Sequence, residues 1–495
     1  MKPFIKINNR DNLLVALEDL KKDTVLIVEN KEIRLKEDIN KGHKIALRDI
    51  DESENVIKYG YPIGHAIKDI GIGEWVHTHN IKTNLSGIEE YQYNKKIQPI
   101  DHEDKKLTFK GYVREDGKVG IRNELWIVPL VGCVNSVGEL IIRKFKEEVN
   151  PEGIDAIEVF HHNYGCSQLG DDHENTKKIL GDIVKHPNAG GVLVLGLGCE
   201  NNGMEAFVDS LGDYNKKRVR FLVAQEAENE VEEGTVLLKE LYAHMKNDYR
   251  QEVSIANLKI GLKCGGSDGL SGITANPLVG KFSDYLISQG GVTVLTEVPE
   301  MFGAETILMN RCIDEEVFHK TVNLINNFKQ YFMDYKQPVY ENPSPGNKAG
   351  GITTLEDKSL GCTQKGGNAP VVDVLDYGET IKEKGLNLLS APGNDLVAST
   401  ALGAAGCHMV LFTTGRGTPF GSLVPTMKIS SNSKLYDRKS NWIDFNSGVL
   451  IEDTYMETVV EQFVEYVLEV ASGTLLDNEK NGCREISIFK TGVTL

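Results

Sequence analysis

What most constrains this chain is an alternation that begins near residue 111, where short apolar runs of strand length take turns with amphipathic runs of helix length. Residues 124–131, 156–161, 192–197 and 218–224 read as buried strands, interleaved with helical stretches at 135–149, 174–185 and 228–246. The pattern resumes at 258–262, 277–289 and 292–296, and again at 386–390, 395–405 and 409–413. Strands apolar on both faces and joined by helices form parallel sheets covered on both sides. A chain of 495 residues is too long for one core. Residues 1–85 differ: short β-branched runs at 24–29, 43–47 and 56–59 are divided by turn residues, without a long amphipathic helix. The expected fold is α/β, a small N-terminal all-β domain (1–85) followed by two Rossmann-like parallel α/β domains (111–252 and 253–495). Residues 86–110 are polar and read as a linker. The Gly-, Pro- and Lys-rich stretch 342–367 is too long for a simple connector and reads as functional.

Charge narrows the function. Asp and Glu number 72 against 55 Lys and Arg, a net −17 that opposes general binding to nucleic acid or anionic membranes. An acidic small molecule would therefore need a locally positive pocket. No run approaches the ~20 apolar residues needed to span a bilayer, and the first residues lead into polar sequence without an apolar signal core. The eight cysteines form no CxxC pair, unlike a zinc finger or a disulfide scaffold. Reduced thiols in a cytoplasmic protein are the expectation, and size and domain count suggest a homodimer.

Ligands of open α/β sheets bind at the carboxyl ends of the strands, and the unusual residues of this chain stand there. Five loops follow strands: His161 to His173 with Cys166, Asp171 and Asp172; Gly198 to Gly203 with Cys199 and Glu200; Cys264 to Gly269 with Asp268; Ala391 to Asp395 with Asn394; and Thr414 to Pro419 with Arg416. One crevice is expected to collect all five. Gly196 and Gly198 begin a dinucleotide fingerprint, but Asn201 stands at its third glycine, which argues against a nicotinamide cofactor. Cys133, Cys312 and Cys483 read as small buried hydrophobes, whereas Cys166, Cys199 and Cys264 have polar or glycine neighbours. His77 and His79 alternate on an expected strand, so both imidazoles would face one side, as a metal-binding or acid–base pair or as an exposed edge pair. Arg122 and Asn123 before a buried strand, Lys348 in the long loop, and Arg416 are cationic or polar groups suited to an organic acid, since guanidinium matches carboxylate bidentately.

The segments GYVREDGKVGIRNELWIVPLVGCVN, YGCSQLGDDHENT, VLGLGCENN, CGGSDGLSGITANP, LTEVPEMFGAE, NPSPGNKAGGITTLEDKSLGCTQK, LLSAPGND and GCHMVLFTTGRGTP closely resemble the altronate and galactarate dehydratase family, over nearly the whole chain. The first ~85 residues, ending in His77-Thr78-His79-Asn80, resemble the family's small β-clip SAF domain. The resemblance implies a hydro-lyase that converts D-altronate to 2-dehydro-3-deoxy-D-gluconate in hexuronate breakdown, with galactarate dehydration or sulfolactate cleavage as alternatives. It also implies a divalent metal, Fe²⁺ or Mn²⁺. On this view His77, His79, Asp171, Asp172 and Lys348 are the catalytic candidates. Arg122, Asn123, Asn394, Asp395 and Arg416 would bind the sugar acid. His77, His79, Cys166, Cys199, Glu200, Cys264 and Asp268 are the metal candidates. Strand-end cysteines holding a [4Fe–4S] cluster are the competing cofactor, and a sugar-acid sensor without turnover is the competing non-enzyme reading.

Overall fold

The structure is a computed structural model that describes residues 3–100, 106–452 and 454–495. The N-terminal domain is all-β and antiparallel. Strands Phe4–Ile5, Leu13–Ala16, Lys44–Ala46 and Trp75–Val76 form one sheet, the hairpin Val25–Val28/Lys31–Arg34 a second, and Asn55–Lys58, Tyr61–Ala66 and Ile81–Lys82 a third. Of the stretch expected to be a linker, 101–105 lie outside the described residues, and 86–100 form a strap. Tyr91 donates to Glu305 at 2.6 Å, Tyr93 donates to the Cys312 carbonyl at 2.6 Å, and both rings rest on the C-terminal core. It ends before residue 110, because strand Thr108–Val113 pairs with Val119–Gly120 and Gln251–Ser254 where the chain enters and leaves the second domain.

The second domain is a four-stranded parallel sheet in the order Ala156–Val159, Glu124–Pro129, Ala189–Gly196, Val219–Val223. The C-terminal domain is a seven-stranded parallel sheet, ordered Val371–Leu375, Gly385–Leu389, Val292–Leu295, Lys259–Cys264, Met409–Thr414, Thr426–Ser430, Phe445–Asn446. The chain lays down strands to one side of Lys259–Cys264 and then resumes on its other side with Met409–Thr414. The crevice at this switch point is where such sheets bind ligands. No helix among the described residues is long and apolar enough to cross a membrane.

The stretch 342–367 joins the domains. It contains helix Pro345–Ala349 and helix Leu355–Cys362, every residue of which is buried. Asp357 on the second helix accepts from Lys44 and from Lys58 of the N-terminal domain, both at 2.8 Å. Lys44 also donates to the Gly351 carbonyl at 2.6 Å. Glycine permits the close approach: a Cβ on Gly269 would lie 2.0 Å from the Gly42 carbonyl oxygen. Burial pushes the Asp357 carboxyl up, but the two ammonium groups more than offset this and hold it well below its ordinary value. Its stabilisation is therefore complete above about pH 4 and lost only as pH falls through the depressed folded value. Asp357→Asn leaves two buried lysines facing a neutral group. It should cost about 3–5 kcal/mol in denaturant unfolding; an unchanged midpoint would show that this junction is not what couples the domains.

Candidate active site

The C-terminal strand ends at the switch point hold a buried polyionic cluster. Strand Lys259–Cys264 delivers Lys263 and Cys264, the turn Glu297–Met301 delivers Glu297 and Glu300, and helix Leu355–Cys362 delivers Lys358 and Cys362. The two thiol sulfurs stand 3.3 Å apart, and Glu300 Oε2 lies 3.1 Å from Cys264 Sγ and 3.2 Å from Cys362 Sγ. Lys358 donates to Glu300 Oε1 at 2.7 Å. Lys263 donates to Glu297 and, at 2.9 Å, to Asp395, while Lys365 lies 3.8 Å from Glu297. Glu297 is held at φ 68° in the left-handed region, which non-glycine residues seldom adopt and which here turns its carboxylate onto the Cys264 amide at 2.9 Å.

Electrostatics follow from this packing. The hydrogen bond from Cys362 draws the Cys264 thiol down to about 6, while the same contact and burial hold Cys362 well above its ordinary value. Burial pushes Glu300 up, but Lys358, Lys263 and Lys365 outweigh it and draw the carboxyl down to about 2. Among the described residues, Cys264, Glu300 and Cys362 are the group whose donor atoms converge, all within 4.8 Å of one another. Two sulfurs and a carboxylate oxygen at this spacing suit a divalent cation, whose binding would ionise the thiols.

The N-terminal domain packs an aromatic cluster against the 342–367 stretch, through His43 on the Ala349 carbonyl and His77 on Thr353. His77 is buried, its Nδ1 3.0 Å from Thr353 Oγ1, and its ring stacks on Trp75 at 5.2 Å; His79 is exposed and packs on the same indole at 5.0 Å. The expected strand pair is corrected here. Strand Trp75–Val76 ends before the histidines, which lie in a turn and differ in burial. Burial, with Lys44 and His43 nearby, holds the His77 pKa down to about 3, so its imidazole is neutral. Arg416 is exposed, its guanidinium donating to the Gly346 carbonyl at 3.4 Å, and Lys348 is half-buried on helix Pro345–Ala349. Asp268 is occupied by turn hydrogen bonds from Leu270, Ser271, Ser431 and Asn432. Asn394 caps the helix Asp395–Ala404.

The other candidates lie elsewhere, because the strand-end loops divide between two sheets instead of sharing one crevice. Cys166, Cys199, Glu200, Asp171 and Asp172 belong to the second domain. Asp172 accepts from the Thr491 and Gly492 amides of the tail, Glu200 from the Leu197 and Gly198 amides, and Asp171 is exposed. Arg122 and Asn123 stand at the amino end of their strand. Arg122 is fully buried, bidentate to Glu479 at 2.8 and 2.9 Å, with its remaining donors on backbone carbonyls; Asn123 bonds Arg114 and the Met245 carbonyl. Arg122 thus ties the second domain to the C-terminal one, and Asn123 bonds within the second domain. Cys133 is exposed and Cys483 partly so, not buried as expected. Glu297, Glu300, Lys263 and Cys362 were missed as site residues, although the first two lie in LTEVPEMFGAE and the last in NPSPGNKAGGITTLEDKSLGCTQK.

Replacing Cys264 or Cys362 by Ser removes a donor without changing shape. Each should weaken binding of Fe²⁺ by tenfold or more in calorimetric titration; unaltered affinity in both would exclude this set.

Comparison with known proteins accords with this architecture. Residues 2–84 match the altronate/galactarate dehydratase SAF domain, 111–246 the D-galactarate dehydratase/altronate hydrolase second domain, and 255–494 the D-galactarate/altronate dehydratase C-terminal domain. Altronate dehydratase of Bacillus subtilis (strain 168) is 60% identical over the full length of both chains. Altronate dehydratase of Escherichia coli (strain K12) is 56% identical over 99% of this chain and 100% of its own. Galactarate dehydratase (L-threo-forming) of the same strain is 32% identical over 95% and 93%. The chain belongs to the altronate/galactarate dehydratase family.

Proposed function

We propose that this chain is a hydro-lyase that dehydrates D-altronate to 2-dehydro-3-deoxy-D-gluconate in a reducing cytoplasm, where its cysteines stay free. The observation that supports it is the buried Cys264–Glu300–Cys362 set with Lys358 on Glu300, on the same 342–367 stretch to which the N-terminal domain docks His77. Losing water from a 2,3-dihydroxy acid requires removal of the weakly acidic C2 proton and protonation of the departing C3 hydroxyl, after which the enol becomes a 2-keto acid. Cys264, Glu300 and Cys362 would hold Fe²⁺, which two sulfur donors favour over Mn²⁺; a divalent ion there supplies Lewis-acid stabilisation of negative charge on substrate oxygens. Arg416 and Lys348 would bind the carboxylate. His77, donating from Nδ1 to Thr353 Oγ1, would leave Nε2 to accept the C2 proton. Lys358, held by Glu300, would donate to the leaving hydroxyl.

The test is a keto-acid assay of the purified protein with D-altronate, galactarate and sulfolactate, with and without Fe²⁺ under reducing conditions. Turnover of D-altronate is expected to exceed that of the other two; ligand-dependent stabilisation without any turnover would establish the sensor reading instead. His77→Ala should lower kcat by about 10²–10⁴ with folding intact. Full activity in that variant would remove His77 from the reaction.

A further inference from the structure

The second domain carries a separate group of thiols that the dehydration chemistry above does not use. Cys133 follows strand Glu124–Pro129, Cys166 follows Ala156–Val159 and Cys199 follows Ala189–Gly196. These strands are parallel neighbours, with Glu124–Pro129 in the middle, so their carboxyl ends open on one edge. The three loops are stitched together beside the cysteines themselves. The Gly132 amide donates to the Tyr164 carbonyl at 3.0 Å, the Asn202 amide to the Gly165 carbonyl at 3.1 Å, and the Ser167 amide to Asn201 Oδ1 at 2.7 Å. Gly132 precedes Cys133, Gly165 and Ser167 flank Cys166, and Asn201 lies two residues past Cys199.

The backbone around Cys166 is built for this shape. Gly165 has φ +94°, and a Cβ there would lie 1.9 Å from the Leu130 carbonyl oxygen. Ser167, not a glycine, also sits at positive φ, 58°. All three thiols are exposed, whereas free cysteine is ordinarily among the most buried residue types. Under the same loops lie buried polar atoms without a partner: Gln168 Nε2 and Asn202 Oδ1, on residues 4% and 1% exposed, and Asn135 Oδ1. Each thiolate of an iron–sulfur cube binds a different iron, so three cysteines presented one from each of three neighbouring strand ends match its needs.

We infer that Cys133, Cys166 and Cys199 ligate a [4Fe–4S] cluster at the strand-end edge of the second domain, its fourth iron carrying no cysteine. The site is distinct from Cys264–Glu300–Cys362 and does not depend on the proposed reaction. It also revises the cysteine set read from sequence: Cys133 takes the place of Cys264, which lies buried on the other sheet.

The test is anaerobic reconstitution of the full chain with Fe²⁺ and sulfide, followed by absorbance, acid-labile sulfide and electron paramagnetic resonance after reduction. The wild type should take up about four irons and four sulfides and show a band near 400 nm. Cys133→Ser, Cys166→Ser and Cys199→Ser should each diminish the band and the triple variant abolish it, with an unchanged unfolding midpoint because all three residues are exposed. Cys264→Ser and Cys362→Ser should retain it. A wild type without labile sulfide, a band that survives the triple substitution, or one lost in Cys264→Ser would each overturn the assignment.

Discussion

The architecture depends on one buried carboxylate. Asp357 sits between Lys44 and Lys58, all three side chains essentially without solvent contact. An isolated buried charge is very costly, so each partner is tolerable only while the others are in place. The ammonium groups come from the N-terminal domain and the carboxylate from a helix of the C-terminal domain. That helix carries Lys358 and Cys362 on the following residues, so docking of the β domain and placement of the polyionic cluster are one event. The neighbouring Glu356 adds to it by accepting from Thr83 at 2.9 Å.

The cluster obeys the same electrostatic rule at higher density. Three lysines and several acids share a water-poor volume in which no group can be ionised independently of its neighbours. Such an arrangement costs stability, and a chain that had only to fold would fill the space with apolar side chains. Its position at the switch point of the larger sheet, with Glu297 held in left-handed backbone, marks it as a place where folding preferences yield to chemistry.

Some expectations were corrected for identifiable reasons. Strand periodicity located Lys259–Cys264, Val292–Leu295, Gly385–Leu389 and Met409–Thr414, but Val371–Leu375 and Thr426–Ser430 were not read, as a short apolar run at a sheet flank carries little pattern. The segment 86–100 looks polar, yet it is anchored by single side chains, Tyr91 and Tyr93, whose partners are more than two hundred residues away. Alternation along a continued strand sets His77 and His79 on one face; the turn after Val76 breaks that alternation.

Local chemistry was within the reach of sequence alone: the parallel α/β class, the all-β start, the strand-end loops with their cysteines and acids, and the family to which such motifs belong. The class, the all-β start and the loops follow from hydrophobic period and turn residues, which act over a few positions, and the family from the resemblance of the long motifs. Which loops meet was decided by tertiary structure. Strand order assigned Cys133, Cys166 and Cys199 to one sheet edge and Cys264 to another, packing within the C-terminal domain brought Cys362 and Glu300 onto Cys264, and domain docking set His77 on Thr353. A one-dimensional pattern records which residues line a strand end, while the neighbours of that end depend on crossover order and interdomain ion pairs, both long-range.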